Sequence, residues 1–385
     1  MSSDLTPKML GAVAQLKYGS NLPDRDRRSG TVPVYGSNGV VGHHDEALCQ
    51  GPGIIVGRKG SVGEVHFSEG PFWPIDTTYY IETTDADCCL QWLAYVLRAK
   101  GLRSLSKATG VPGLDRKDVH ALAVNVPSRE QQERIARDLG SALRIAESAY
   151  TAVAAQYESS RLLAQVILRS GFAVAAPVST QTGIYDVAAG WAWSGLTSVA
   201  RLESGHTPSR RHPEWWGGHV PWLALPDIRK LHGNLAHETL ENINDAGLAN
   251  SSARMLPVGT ICVSRTASIG FVTMLGRPMA TSQDFCNWVC DPERLDPEFL
   301  MYAFMASQDS LRELGSGAVH KTIYMPTIKS FQICAPDIEE QRRIARVLRD
   351  RLAAAEALTK HLRERQAEIQ RLPQRLLAAA FEQVA

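Results

Sequence analysis

The sequence predicts an α+β protein assembled from two mixed, strand-rich domains and two long helices, arranged as an internal repeat. Three observations carry that prediction. First, the run PSREQQERIA beginning at Pro127 returns as PDIEEQRRIA at Pro336, and aligning the two prolines also aligns Gln132 with Gln341, Arg134 with Arg343, Ile135 with Ile344 and Phe172 with Phe381. Second, both runs continue on an apolar ladder of 4-3 spacing, through Ile135, Leu139, Ala142, Ala146, Ala149 and Val153 in the first and Ile344, Leu348, Ala355, Leu358, Leu362 and Ile369 in the second. That spacing suits the seam of a two-helix coiled coil better than the broad face of a globular helix. Third, Val56-Gly57-Arg58 and Ser61-Val62-Gly63 are matched by Val263-Ser264-Arg265 and Ser268-Ile269-Gly270, so the strand-rich parts repeat as well.

Residues 1–127 form the first mixed domain, rich in turn signals. Ser37-Asn38-Gly39 separates two apolar runs and predicts a hairpin. Ile54-Ile55-Val56 and the run through Val62, Val65 and Phe67 predict a second hairpin, with Arg58 and Lys59 at its tip. CLQWLAYVLRAKGLRSL, from Cys89 to Leu105, predicts a helix with Leu90, Leu93, Val96 and Leu97 on one apolar face and Gly101 ending it. A polar loop, SKATGVPGLDRKDV, follows.

The first long helix occupies 128–172 and at 1.5 Å per residue is roughly 65 Å long, more than a small domain needs for its own core. Residues 173–192 are small and polar without a clear period and predict a linker. The second mixed domain, 193–335, keeps the order of the first: a glycine-flanked Arg hairpin, a helix, then a glycine loop bearing Lys321. Residues 336–385 form the second long helix, which Pro373 is expected to bend or break.

Composition narrows the function classes. A chain of 385 residues with 44% apolar content holds two or three domains with real cores. No window approaches the ~18 apolar residues of a membrane span, and MSSDLTPKML lacks the basic-then-apolar pattern of a signal peptide, so a cytoplasmic location is expected. The seven cysteines fall in no ligand spacing and read as reduced core residues. A net charge of +1 is low for a protein that grips nucleic acid by phosphate neutralisation alone, so any such contact rests on local basic spots or is shared with a partner.

The motifs support binding over chemistry. GRKGSVG, Gly57 to Gly63, is a weak phosphate-loop signal because it lacks the Gly-Lys-Ser/Thr ending and its copy SRTASIG loses the middle glycine. A structural hairpin or a DNA-facing hairpin with Arg58 and Arg265 fits better. HTPSRRHPEWWGGHVPW gathers Arg210, Arg211, three Trp and three His; a metal at His206, His212 and His219 lacks a carboxylate or cysteine at ligand spacing, and core tryptophans under a basic loop explain it more simply. No base-methylation tetrad, Walker pair, nucleophile elbow or HExxH is present in the sequence, so catalysis by the chain itself is not expected.

Two divergent domains, each followed by a helix entered by P-x-x-E-x-Q-x-R-I, resemble the specificity subunit of type I restriction-modification systems over essentially the whole chain. VYGSNGVVGHHDE, GPGIIVGRKGSVGEVHFSEGPFWPIDTTYY and TPSRRHPEWWGGHVPWLALPDIRK resemble that family's target-recognition domains. The resemblance implies two target-recognition domains, each reading half of a split DNA target, joined by long helices that pair as an antiparallel coiled coil with pseudo-twofold symmetry. It implies two methyltransferase subunits docked on the helices, to which nuclease subunits can add, with S-adenosylmethionine, ATP and Mg held by those partners and no cofactor or metal by this chain. Resemblance and local chemistry together favour Tyr35, Ser37, Asn38, Arg58, Lys59, Lys107 and Thr109 as DNA contacts in the first domain, and Thr207, Ser209, Arg210, Arg229, Arg265, Gln283 and Lys321 in the second. The docking marks are Gln132, Arg134 and Ile135 with Gln341, Arg343 and Ile344. Because GRKG becomes SRTA, a role for Lys59 is not shared by the copies. Three rivals remain at this point: a subunit serving one fused methylation and cleavage partner, a coiled-coil scaffold that binds only proteins, and an enzyme acting alone. The near-neutral charge favours the scaffold, and the repeated Arg hairpin disfavours it.

Overall fold

The structure is a computed structural model and describes residues 7–82, 87–106, 113–180, 187–315 and 321–382. The chain divides into two compact units, Met1–Ala155 with Leu362–Ala385, and Gln156–His361, so each unit takes one mixed domain and a part of both long helices. Among the described residues no helix is long and apolar enough to cross a membrane.

In the first unit the strands are β1 (Lys17–Tyr18), β2 (Val32–Gly36), β3 (Gly39–His44), β4 (Gly53–Gly57), β5 (Val65–Ser68), β6 (Trp73–Pro74) and β7 (Thr78–Ile81). They form a four-stranded sheet of order β1-β7-β4-β5 and a three-stranded sheet of order β3-β2-β6, beside a separate antiparallel pair of Pro7–Met9 with Ala123–Asn125. Every residue of β4 is buried, because side chains alternate between two covered faces. Ile54 and Val56 join the main core, while Ile55 faces a small cluster with Cys49 and Phe72. Ser37 and Asn38 make the two-residue turn between β2 and β3, and Gly39 follows at φ 111°, a backbone angle that favours glycine. Helix α1 (Leu90–Ala99) ends before Gly101, which stands in the left-handed region at φ 59°. The expected single apolar face of α1 is corrected: Trp92 to Leu97 are all buried. The helix lies against the sheet, and its Tyr95 hydroxyl approaches Gly140 of the long helix, leaving only 2.9 Å for a Cβ there.

The second unit carries β8 (Ala200–Ser204), β9 (Trp216–Leu223), β10 (Leu235–Ala236), β11 (Glu241–Ile243), β12 (Ile261–Ser264), β13 (Val272–Leu275), β14 (Ala280–Thr281) and β15 (Phe285–Cys290). Two of its sheets have the orders β8-β15-β12-β13-β10 and β11-β9-β14, and a third joins Val178–Ser179 and Ala192–Gly195 to either side of Gln332–Ala335. In the two main sheets this is, strand for strand, the topology of the first unit with β10 added. Even the parallel pairing of β2 with β6 returns, as β9 with β14. Helix α2 (Pro297–Ala306) starts on Asp296, whose carboxylate accepts from Phe299 N at 2.9 Å, and its residues 299–304 are buried. Matching positions run at three offsets, 186 at Gly19 and Gly205, 207 at Arg58 and Arg265, and 209 at Gln132 and Gln341, so the extra length of the second copy lies mainly between β8 and β12. Gly19 and Gly205 do the same work: a Cβ at either would fall 2.1 Å from a backbone oxygen, of Ile75 or Ser282.

The long helices are α3 (Arg129–Ser170) and α4 (Ile338–Glu382). In the second unit the tail of α3 meets the head of α4. Leu168 and Phe172 share a core with Ile344 and Leu348, and Thr359 Oγ1 hydrogen-bonds Ser160 Oγ at 3.1 Å, so the two run antiparallel there. In the first unit Ala136 and Leu139 share a core with Leu376, Leu377 and Phe381. Those contacts explain why α4 continues through Pro373, where a break was one expected outcome; the lost N–H is compensated by packing beyond it. The expected linker is also corrected. Val178 and Ser179 pair with the strand Gln332–Ala335, and Val178 is fully buried. All seven cysteines are free and at least half-buried, and burial pushes the Cys49 and Cys334 thiols up to about 11 and the Cys286 and Cys290 thiols up to about 12.

Candidate nucleic-acid interface

The two Arg hairpins are built from the same hydrogen bonds. Arg58 N donates to Thr77 O at 2.9 Å and Arg58 O accepts from Leu114 N at 3.0 Å; Arg265 N donates to Asp284 O at 2.8 Å and Arg265 O accepts from Ile323 N at 2.9 Å. Gly63 N closes on Gly57 O at 2.8 Å, and Gly270 N on Ser264 O at 3.0 Å. Both closing glycines need positive φ, 79° and 81°. Each arginine is therefore fixed at its backbone on both sides. The phosphate-loop reading fails on this geometry, because the glycine turn joins two antiparallel strands instead of opening a helix.

The side chains are fixed by different means. The Arg58 guanidinium lies 5.2 Å from the Tyr18 ring centre and 6.0 Å from Tyr79, and Arg116 stands 5.0 Å from Tyr18 on its own account. Tyr18 is 51% exposed, so this cationic-aromatic group faces solvent. Arg265 donates from Nε to Gln283 O at 3.1 Å and from Nη1 to Ile323 O at 3.4 Å. A guanidinium has five N–H donors, so an arginine held this way keeps donors for an outside acceptor.

The other expected contacts gather in part. In the first domain Ser37 Oγ, Arg58 N and Lys59 N all donate to Thr77 O, at 2.6, 2.9 and 3.2 Å. Ser37 is thus buried and spent on its turn, whereas Asn38 and Lys59 are exposed. Tyr35 packs edge-on against Phe72 with centroids 6.0 Å apart, more core than contact. Lys107 and Thr109 lie outside the described residues. In the second domain the Thr207 hydroxyl bonds Gln283 Oε1, and Gln283 O holds Arg265, which links three expected residues from three segments. Ser209 is exposed. Arg210 makes a two-pronged pair with Glu241 at 2.6 and 2.7 Å and lies 3.6 Å from the Trp216 ring centre. That hydrogen bond raises the Arg210 pKa and lowers that of Glu241. Arg229 donates from Nε to Ser268 Oγ at 2.8 Å, and Lys321 lines the same cleft. Tyr18, Arg116 and Arg312 were not anticipated. For Arg312 a signal existed, since LRSL at Leu102 and LREL at Leu311 repeat at the 209 offset.

The histidine-rich loop gives no metal geometry: His212 stacks on Trp215 with centroids 4.2 Å apart and reaches Glu214 at 2.9 Å. Among the described residues no group of three or more His, Cys, Asp or Glu is placed to hold a metal ion.

The docking marks need correction. Gln132 is fully buried; its Oε1 accepts from Cys89 N at 2.7 Å, and its Nε2 donates to Asp87 O at 2.9 Å and Pro127 O at 2.8 Å. Gln341 repeats this, accepting from Asp296 N at 3.0 Å and donating to Arg294 O at 3.1 Å and Pro336 O at 2.9 Å. Both amides staple a domain to its own helix and are out of reach of a second protein. Ile135 and Ile344 pack into the two cores. Only Arg134 and Arg343 remain at the surface, the latter paired with Glu340 at 2.6 Å.

With two copies of one fold, twin arginine hairpins and stapled long helices in place, the chain belongs to the family of the type I restriction modification DNA specificity domain, which matches residues 3–146 and 189–368. Among characterised relatives it is 29% identical over 170 residues to the type I restriction enzyme MjaIX specificity subunit of Methanocaldococcus jannaschii, covering 44% of this chain and 39% of that protein. It is 28% identical over 154 residues to the HindI specificity subunit of Haemophilus influenzae, covering 39% of this chain and 33% of that one. In both alignments the chain spans well under half of the relative's length. The fold matches that of the HsdS subunit from Thermoanaerobacter tengcongensis with a TM-score of 0.61 at 17% identity, over 87% of this chain and 81% of that one. A chain from a solved type I R-M system matches with a TM-score of 0.69 at 17% identity, over 98% and 97%.

Proposed function

We propose that this chain is the non-catalytic DNA sequence-recognition subunit of a type I restriction-modification complex in the cytoplasm of a prokaryotic cell. The observation that carries the reading is the hairpin whose backbone clamps on Arg58 and Arg265 and whose glycine closure are kept while the sequence around it diverged. A fork of guanidinium donors, set against tyrosine rings at Arg58 and on backbone carbonyls at Arg265, is suited to acceptors on a guanine edge in the major groove. Two unlike copies on one chain would read the two unlike halves of a split target. The exposed stretches of α3 and α4 would dock two methyltransferase subunits, which bring S-adenosylmethionine and, with nuclease subunits, ATP and Mg. Sharing the phosphate grip with those partners accounts for a net charge of only +1.

The test is a salt-controlled titration of the complex reconstituted with its methyltransferase. Arg58→Ala and Arg265→Ala are each expected to weaken binding to the cognate duplex by roughly 1–3 kcal/mol while leaving assembly intact. Unchanged binding in both variants would remove the hairpins from the interface.

A further inference from the structure

Beside the second hairpin lies a cleft of about 430 Å³ lined by Arg229, Ser268, Phe271, Arg312 and Lys321. Three cations converge on it from three segments: Arg229 from the helix Leu225–Leu231, Arg312 from the helix Gln308–Glu313, and Lys321 from the residue before Thr322, which bridges to Thr266 of the hairpin. Arg229 is tied through Nε to the buried Ser268 hydroxyl at 2.8 Å, and both line the cleft. The carboxylate nearest Arg312 is Asp309, at 3.4 Å, and Asp309 is shared with Arg169 at 3.6 Å, with all three side chains at least half exposed. Such pairs are weak in water. His232, 5.0 Å from the Phe271 ring, has its pKa lowered by burial and by Arg312, against a hydrogen bond with Val272 that raises it. The site therefore carries a surplus of positive charge beside a hydroxyl.

The duplication supplies an independent observation. Arg312 has a counterpart in Arg103, and Ser268 in Ser61, both at the offsets already established. Arg103 is exposed, as Arg312 is, and its backbone abuts the first hairpin: a Cβ on Gly63 would stand 2.5 Å from Arg103 N. Each hairpin is thus flanked by a second arginine that does not share the backbone clamp of the first.

We infer that the cleft of Arg229, Arg312 and Lys321 binds a phosphodiester group of the DNA backbone, and that Arg103 marks the equivalent contact in the first domain. This deepens the proposed function and rests on it. Arg58 and Arg265 would read bases, while Arg103 and Arg312 hold the register without reading sequence. A guanidinium pair and an ammonium around a hydroxyl suit the oxygens of a phosphate better than a base edge, which offers two acceptors in one plane.

The experiment compares Arg312→Gln, Arg103→Gln and Lys321→Gln with wild type in the complex with its methyltransferase, on the cognate duplex and on a duplex with both half-sites scrambled, across a salt series. Each variant is expected to bind both duplexes more weakly by a similar factor, on the order of tenfold at low salt, and to lower the slope of log K against log salt by about 0.9. The methylated motif stays the same. Because all three side chains are exposed, thermal melting is expected to match wild type. Unchanged affinity and slope on both duplexes would overturn the assignment, and so would weakening confined to the cognate duplex, which would make these residues base readers. A wild-type complex that bound the two duplexes equally would instead overturn the proposed function, with the slopes still deciding the phosphate contact.

Discussion

Replacing Gln132 by Ala tests the stapling of a domain to its helix. The side chain is fully buried and makes three hydrogen bonds, one accepted from Cys89 N and two donated to Asp87 O and Pro127 O. Alanine leaves one N–H and two carbonyls without their partner. At about 1–3 kcal/mol for each stranded group, less what relaxation recovers, the loss is roughly 3–5 kcal/mol, the range reserved for breaking a buried network. Gln132→Glu gives no rescue, since a carboxylate keeps the acceptor but loses both donors and buries a charge. Because the chain has two compact units, the assay should resolve two transitions, using urea denaturation followed by hydrogen exchange at the α1 and α2 amides. Gln132→Ala should lower the transition reported by α1, and Gln341→Ala the one reported by α2. A loss below about 1 kcal/mol in either unit would refute the staple.

Other expectations follow from the hairpins, the histidines and the helices. Gly63→Ala should cost about 2–3 kcal/mol or more, since φ is 79° and the new Cβ meets Arg103 N at 2.5 Å, whereas Gly60→Ala should cost about 1 kcal/mol because nothing lies within 4 Å. The second copy already carries Ala267 there, at φ 52°; equal melting temperatures for the two variants would contradict this. Burial lowers the pKa of His66, His120 and His232 below their unfolded value of about 6.5. Below that pH the unfolded chain binds more protons, so stability is full above about 6.5 and falls with acid, by at most about 1.4 kcal/mol per pH unit for each histidine. A urea midpoint that stays flat from pH 7 to about 5 would exclude this linkage. Inserting about seven residues into both α3 and α4 in register should change the unread spacer of the methylated motif and leave its bases alone; altered half-sites with the old spacer would reject that role.

Much of the framework was legible because it is written in local patterns. The Ser37-Asn38-Gly39 turn, the glycines closing each hairpin and the 4-3 ladders declare a strand pair or a seam from a few neighbouring residues. What was hidden depends on distant segments. Gln132 looks like a surface glutamine at a helix start until the loop before α1 brings Asp87 O and Cys89 N around it. The segment 173–192 has no period, yet Val178 is buried because a strand 155 residues later pairs with it. Single-faced amphipathicity failed for α1 because the long helix covers its second side through Tyr95. Within the site, the Arg hairpins were legible from the repeat, but the partners that aim them, Tyr18 for Arg58 and the Gln283 and Ile323 carbonyls for Arg265, come from the tertiary fold.

The central claim is that one chain reads two unlike half-sites, one with each copy of the fold. It is tested most directly by sequencing the methylome of a host that expresses this chain with its methyltransferase, beside the same host carrying Arg265→Ala. The account predicts a split motif with a fixed unread spacer, and in the variant a loss or relaxation of one half only. A continuous motif, or a variant that alters both halves together, would contradict it.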